Sequence, residues 1–248
     1  MLSRTALAAA ALAAICALSG CTASNANAGP APVASSDSAP PLFAPSPSAS
    51  AAVPPGTPSV ATLTAEVKRT RLPASTISGF QQVQTDTPTA LLSICTNNGA
   101  LSSDADIVDS ASRSLNKFPR YQMLDFAAYA YRPDTGATVV DQARATVAGC
   151  TTYLDGNSYH ENSHVVSAFP VKTPTGADRA TGFCDDSTVV RPVAQAGQKF
   201  AECTAVLARG HVVVEVTVGN AVAATARKQL PAFVGPAAKA LVAAVPAS

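Results

Sequence analysis

FAECTAVLAR (Phe200–Arg209), Gly210 and HVVVEVTV (His211–Val218) read as two strands folded back on each other. Val212, Val214, Val216 and Val218 alternate without a break, so one side of the second strand is aliphatic. Arg209-Gly210 supplies a tight hairpin turn between them. Gly219-Asn220 ends the second strand, with Asn220 placed to cap a helix over Ala221–Leu230 that breaks at Pro231. A further helix is expected from near Pro236 to about Ala244.

Upstream, QMLDFAAYAY (Gln122–Tyr131) is also a strand. Leu124, Phe126, Ala128 and Ala130 share one face, and Asp125, Tyr129 and Tyr131 the other. Val108–Lys117 fits strand or helix, and strand is favoured because it would pair with Gln122–Tyr131 across Phe118-Pro119-Arg120. Ala137–Gly149 carries apolar residues at 139, 140, 143 and 147, the spacing of one helix face. Short helices are expected at Ala61–Thr70 and Thr89–Ile94, and short strands at Gly79–Gln84, Val165–Val171 and Arg179–Cys184. Single helices between runs of strands favour an α+β domain with a mostly antiparallel sheet flanked by helices.

The N-terminus is of another kind. Arg4 precedes an apolar run of about 13 residues from Ala6 to Leu18, too short to span a bilayer, which takes roughly 20. The run ends in Leu18-Ser19-Gly20-Cys21, which resembles the lipobox of bacterial lipoproteins. The resemblance implies that residues 1–20 are removed and that Cys21 becomes a diacylated N-terminus, two chains being enough for stable anchoring. From Cys21 to residue 59 the chain is rich in Ala, Ser, Pro and Thr and cannot bury enough apolar surface to order itself. Such a spacer of about 40 residues spans roughly 35 Å as a coil and approaches 120 Å when extended. Residues 60–248 then form a single extracytoplasmic domain, tethered to the cell membrane by lipid.

The domain would retain four cysteines, Cys95, Cys150, Cys184 and Cys203. In an oxidising compartment two disulfides are expected, with three connectivities open. Sequential pairing, Cys95–Cys150 and Cys184–Cys203, is favoured because the second pair would staple neighbouring strands. The closed loops would contribute about 4 and about 3 kcal/mol as upper figures. Zinc is the rival use, but the spacings hold no C-x₂-C element.

Charge and composition narrow the partners. The chain has 17 Lys and Arg, one of them Arg4, against 16 Asp and Glu, so the mature chain is formally neutral. That argues against nucleic acid and against an anionic lipid surface. Trp is absent and aromatics make up 5% of the chain, which leaves little to stack on bases or sugars. Abundant Ala, Val, Thr and Pro with few Lys fits a GC-rich, actinobacterial genome.

His160-Glu161-Asn162-Ser163-His164 matches the letters of the H-E-x-x-H metalloprotease motif. The motif requires a helix, so that both imidazoles face one metal while the Glu activates water. Here it lies in TTYLDGNSYHENSHVV, full of Gly, Asn, Ser and Thr, and the two histidines read as loop residues. A metal-dependent hydrolase built on His160, Glu161 and His164 is therefore an alternative reading rather than the leading one. Gly156-Asn157-Ser158-Tyr159 lacks the second Gly of a nucleophile elbow. Asp185-Asp186 reads as a pair of turn acids whose side chains would point apart on a strand. No phosphate-binding glycine loop is present, and no cofactor is implied.

Leu72–Ala244 resembles the extracellular sensor-domain family of mycobacterial receptor Ser/Thr kinases (PknH-like). The resembling features are Cys95 after an N-terminal helix, the aromatic strand and helix from Gln122 to Cys150, the Cys-containing strand pair, and the HVVVEVTVGN passage. Thr151-Thr152-Tyr153 stands where family members often carry Trp. The resemblance implies an antiparallel sheet flanked by helices, two disulfides, and a cleft for an unidentified small-molecule or envelope ligand, with no catalytic residue. Tyr129 and Tyr131 are expected near such a cleft. An envelope protein–protein scaffold is the third reading.

Overall fold

The computed structural model describes residues 55–72, 77–92, 94, 101–117, 122–156 and 159–247. The signal segment 1–20, Cys21, the spacer as far as residue 54, the Phe118-Pro119-Arg120 connection and Cys95 lie outside the described residues. The described residues all belong to the second of two units, Ala51–Ser248.

The strands are β1 (Gln81–Gln84), β2 (Ile107–Lys117), β3 (Gln122–Tyr131), β4 (Thr152–Gly156), β5 (Glu161–Ala168), β6 (Arg179–Arg191), β7 (Lys199–Arg209) and β8 (Val212–Asn220). They form one eight-stranded sheet in the order β1-β2-β3-β8-β7-β6-β5-β4, every neighbouring pair antiparallel. The helices are α1 (Val60–Arg69), α2 (Gly136–Gly149), α3 (Ala223–Gln229) and α4 (Pro231–Ala244). This is the expected α+β domain with an antiparallel sheet.

Helices cover both faces of the sheet. On one face, Leu63 and Val67 of α1 and Leu230, Phe233, Ala237 and Leu241 around α3 and α4 pack on Leu124, Phe126, Leu207, Val214, Val216 and Val218. On the other, Val139, Val140, Ala143 and Val147 of α2 pack on Ala127, Tyr129, Tyr131, Val206, Ala208 and Val213. The alternation of β8 therefore separates two cores rather than a core from solvent. This corrects the expectation that Tyr129 and Tyr131 lie on a polar face, since they are 2% and 0% exposed beneath α2.

Local chemistry fixes the ends of the elements. The Ser59 hydroxyl accepts from Thr62 N at 3.1 Å and caps α1, and Thr135 caps α2 in the same way. Arg69 Nη2 donates to the Ala244 carbonyl at 3.0 Å, tying α1 to the end of α4. Arg209 pairs with Val212, so the hairpin turn is Gly210-His211, one residue later than expected. Gly210 has φ 56°, the left-handed conformation such a two-residue turn demands, and its N–H donates to Asp178 Oδ2 at 2.7 Å. At Gly182 a Cβ would meet Val171 Cγ2 at 2.5 Å and the Phe169 carbonyl oxygen at 2.9 Å, so the chain after β5 crosses β6 only because this residue has no side chain.

Four expectations are corrected. The described part of Thr89–Ile94 is not helical; Leu91, Leu92 and Ile94 plug the α2 core from an irregular segment that Asp104 holds by accepting from Leu91 N and Leu101 N. An apolar run this short cannot distinguish a helix from any other buried segment. TTYLDGNSYHENSHVV is not a loop but most of the β4–β5 hairpin, and β5 starts at Glu161 rather than Val165. Strand β6 continues through Asp185-Asp186 to Arg191, so that pair is not in a turn. At the C-terminus, Asn220 Oδ1 accepts from Val222 N at 2.9 Å ahead of α3, and α4 starts at Pro231 with Pro236 inside it. Proline fits the first helical position, where no N–H is needed, so Pro231 begins a helix instead of separating two.

Candidate functional site

Between the last turn of α1 and the β1–β2 edge lies an open cavity of about 490 Å³. Strand periodicity places Arg113 on the same face of β2 as the core residue Leu115, and the register sets it opposite Phe126. It is half-buried, two residues from the exposed Ala111. Lys68 and Arg71 reach the same cavity from the end of α1, while Val67, Leu72 and Phe126 form its apolar floor. Among the described residues none of these three cations is ion-paired. Asp86 is the acidic side chain in the wall, and Gln84 Nε2 already donates to it. Gln82, Thr85, Thr87 and Ser112 supply amide and hydroxyl groups around the opening.

The α2 face carries a second polar group, on β4, β5 and β6, where Tyr153 packs against the edge of the α2 core. His164 Nδ1 lies 2.9 Å from Asp185 Oδ2, and the Tyr153 hydroxyl donates to the same oxygen at 2.6 Å. The Tyr153 and His164 rings stack at 4.2 Å. The far nitrogen, His164 Nε2, faces Asp155 Oδ1 at 3.2 Å, so a carboxylate occupies the place where a hydrolase would present its nucleophile. Asp185 is therefore a buried structural acceptor, while Asp186 on the opposite face takes a hydrogen bond from Arg227 at 2.6 Å.

Nearby, Asp125, Glu202 and Glu215 are carboxylates whose pKa burial raises, Glu202 to about 7 and Glu215 to about 8, with like-charged neighbours adding to the shift in the last two. The Tyr129 hydroxyl donates to Glu215 Oε2 at 3.1 Å and is itself pushed upward by burial and by that carboxylate. The Tyr131 hydroxyl is buried without a hydrogen bond, and burial and Asp104 raise its pKa. Neither tyrosine reaches the 490 Å³ cavity, which lies on the other face of the sheet.

No protein family is matched by the sequence, and no curated protein is similar to it. In three dimensions the chain is similar to the crystal structure of the extracellular domain of PknH from Mycobacterium tuberculosis. The two share 15% identity at a TM-score of 0.46, over 73% of this chain and 95% of that one.

The His160–His164 motif does not form its expected geometry. His160 is exposed ahead of β5, His164 is buried within it, and Glu161 pairs with Arg191 at 3.1 Å. Extended chain places Cα atoms four residues apart about 13 Å from each other, whereas one helical turn would bring the two imidazoles to a single metal. Among the described residues no group of three or more His, Cys, Asp or Glu is placed to hold a metal ion. Cys184 and Cys203 sit opposite each other on β6 and β7 and are disulfide-bonded, Cα to Cα 4.1 Å. Cys150 is disulfide-bonded as well, to a residue outside those described.

Lys68, Arg71 and Arg113 were not evident as a group in the sequence, because α1 and β2 meet only through the fold. Arg113 alone leaves a trace. In DSASRSL it takes an inward position of the same alternation that buries Leu115, and an arginine there needs a reason.

Proposed function

We propose that this chain is a lipid-anchored cell-surface domain that binds a ligand outside the cytoplasm and performs no chemistry on it. The observation that carries the reading is the 490 Å³ cavity with the half-buried Arg113 in its wall, which has no ion-pair partner among the described residues. Desolvating a cation without a partner is costly, and a protein keeps such a group where a ligand supplies the counter-charge. The location rests on Leu18–Cys21 and on the spacer to residue 59, and the disulfide chemistry supports an oxidising compartment. Among the described residues no helix is long and apolar enough to cross a membrane.

The hydrolase reading loses its support because a strand holds His160 and His164 apart. The test has two parts. Intact-mass analysis of the chain made in an exporting bacterial host should show an N-terminal diacylated Cys21, lost in Cys21→Ala. Native mass spectrometry of the same chain should show a retained small molecule that Arg113→Gln releases. A chain that keeps residues 1–20 contradicts the anchor, and one that neither retains nor takes up any ligand contradicts the binding role.

A further inference from the structure

Resting on that binding role, we propose that the ligand is a phosphomonoester with a hydroxyl-rich body, such as a sugar or polyol phosphate. The charge balance of the cavity points to a dianion. Among the described lining residues, Lys68, Arg71 and Arg113 contribute three positive charges and Asp86 one negative, and Gln84 already engages Asp86. The surplus of two matches a phosphate monoester, which carries about −1.5 to −2 at neutral pH. An arginine guanidinium presents paired N–H groups that match two phosphate oxygens at once, and two arginines from different elements can take different edges of one phosphate.

The rest of the wall selects the body. Val67, Leu72 and Phe126 are at least nine-tenths buried and offer little apolar surface, which disfavours an acyl chain or a large aromatic group. Gln82, Thr85, Thr87 and Ser112 offer amide and hydroxyl groups suited to ligand hydroxyls. The volume of about 490 Å³ lies in the range of small-molecule pockets, large enough for a phosphorylated monosaccharide and too open for phosphate alone. The formal neutrality of the mature chain does not conflict with this, because the positive charge is local.

The test is isothermal titration of the mature, detergent-solubilised chain with glucose 6-phosphate, glucose and inorganic phosphate, each at two salt concentrations. Glucose 6-phosphate should bind one to one, with glucose undetected, inorganic phosphate weaker, and affinity falling as salt rises. Arg113→Gln and, separately, Arg71→Gln should each weaken it at least tenfold, whereas Lys172→Gln, in a different cavity, should leave it unchanged. Arg71 is exposed, so its variant keeps the test valid if Arg113→Gln fails to fold. Lysophosphatidic acid distinguishes the source of the phosphate: tighter binding than the sugar phosphate, lost in the same variants, would place it on a lipid headgroup and overturn the hydroxyl-rich body. Equal binding of glucose and glucose 6-phosphate, or indifference to both arginine variants, would overturn the proposal. A retained ligand without an acidic group would overturn the phosphomonoester while leaving the binding role intact.

Discussion

Replacing Glu215 with Gln should stabilise the domain at pH 8 and change it little at pH 5. Glu215 lies mid-sheet on β8, mostly buried, and its carboxyl is pushed up to about 8 from an ordinary 4.5. Burial is the largest cause; Asp125, Glu202 and Asp104 add negative charge, and only the Tyr129 hydroxyl bond opposes them. The sign follows from proton counting. Between pH 4.5 and 8 the unfolded chain has released this proton and the folded chain still holds it, so folding loses stability as pH rises through that window. Each unit of separation is worth about 1.4 kcal/mol, and sharing the repulsion with Glu202 leaves about 2–4 kcal/mol at pH 8 as an order-of-magnitude expectation. Glutamine removes the titration but keeps a carbonyl oxygen for the Tyr129 hydroxyl.

Urea unfolding of the wild type and Glu215→Gln at half-unit steps from pH 5 to 9 measures this directly. The two stability curves should nearly coincide at pH 5 and separate upward, the wild type falling faster. The variant should still decline somewhat, because Glu202 titrates at about 7. Parallel curves with a constant offset would show that Glu215 ionises in the folded protein as freely as in the unfolded chain, and the burial argument would fail.

Other expectations follow from packing. Gly182→Ala should cost about 1–3 kcal/mol in urea unfolding, because Val171 and the Phe169 backbone must both move to admit a methyl group. The double change of Cys184 and Cys203 to Ser should lower stability by up to about 3 kcal/mol through loss of the 19-residue loop closure, and reductant should then affect only the remaining disulfide. Asp185→Asn should cost about 1–3 kcal/mol by weakening the shared acceptor of His164 and the Tyr153 hydroxyl, visible as a lower thermal midpoint. Arg227→Ala should cost under about 1 kcal/mol despite its 2.6 Å contact with Asp186, since both side chains are about one-third exposed.

The elements legible in the sequence were those whose pattern is local. β7, β8 and β3 declare themselves by aliphatic alternation, and α2 by its apolar stripe. Two-sided burial was harder to see, because Asp125, Tyr129 and Glu215 make the second face of β3 and β8 look polar, although Tyr129 and Glu215 satisfy each other within it. The β4–β5 hairpin was hidden for a related reason. It has few apolar residues and is held by edge pairing and by the contact of Tyr153 and His164 with Asp185, 21 residues beyond the histidine. Partners that distant leave no periodicity.

The position of the cavity follows from the dimensions of the fold. Eight strands at about 4.8 Å spacing make a sheet roughly 34 Å wide, and a helix with its side chains covers about 10–12 Å of it. On the face of α1, α3 and α4, α1 packs chiefly on β2 and β3, while α3 and α4 pack on β7 and β8. Among the described residues no helix packs closely on the edge strand β1, so an apolar residue there is left exposed, as Val83 is. The other residues of β1 are Gln81, Gln82 and Gln84, and the neighbouring β2 carries Ala111 and Arg113. Polar glutamines suffice to finish an edge. An inward arginine beside two more cations, with no ion-pair partner among the described residues, does not serve that purpose, and this residue is what supports the proposal of an anion entering the groove.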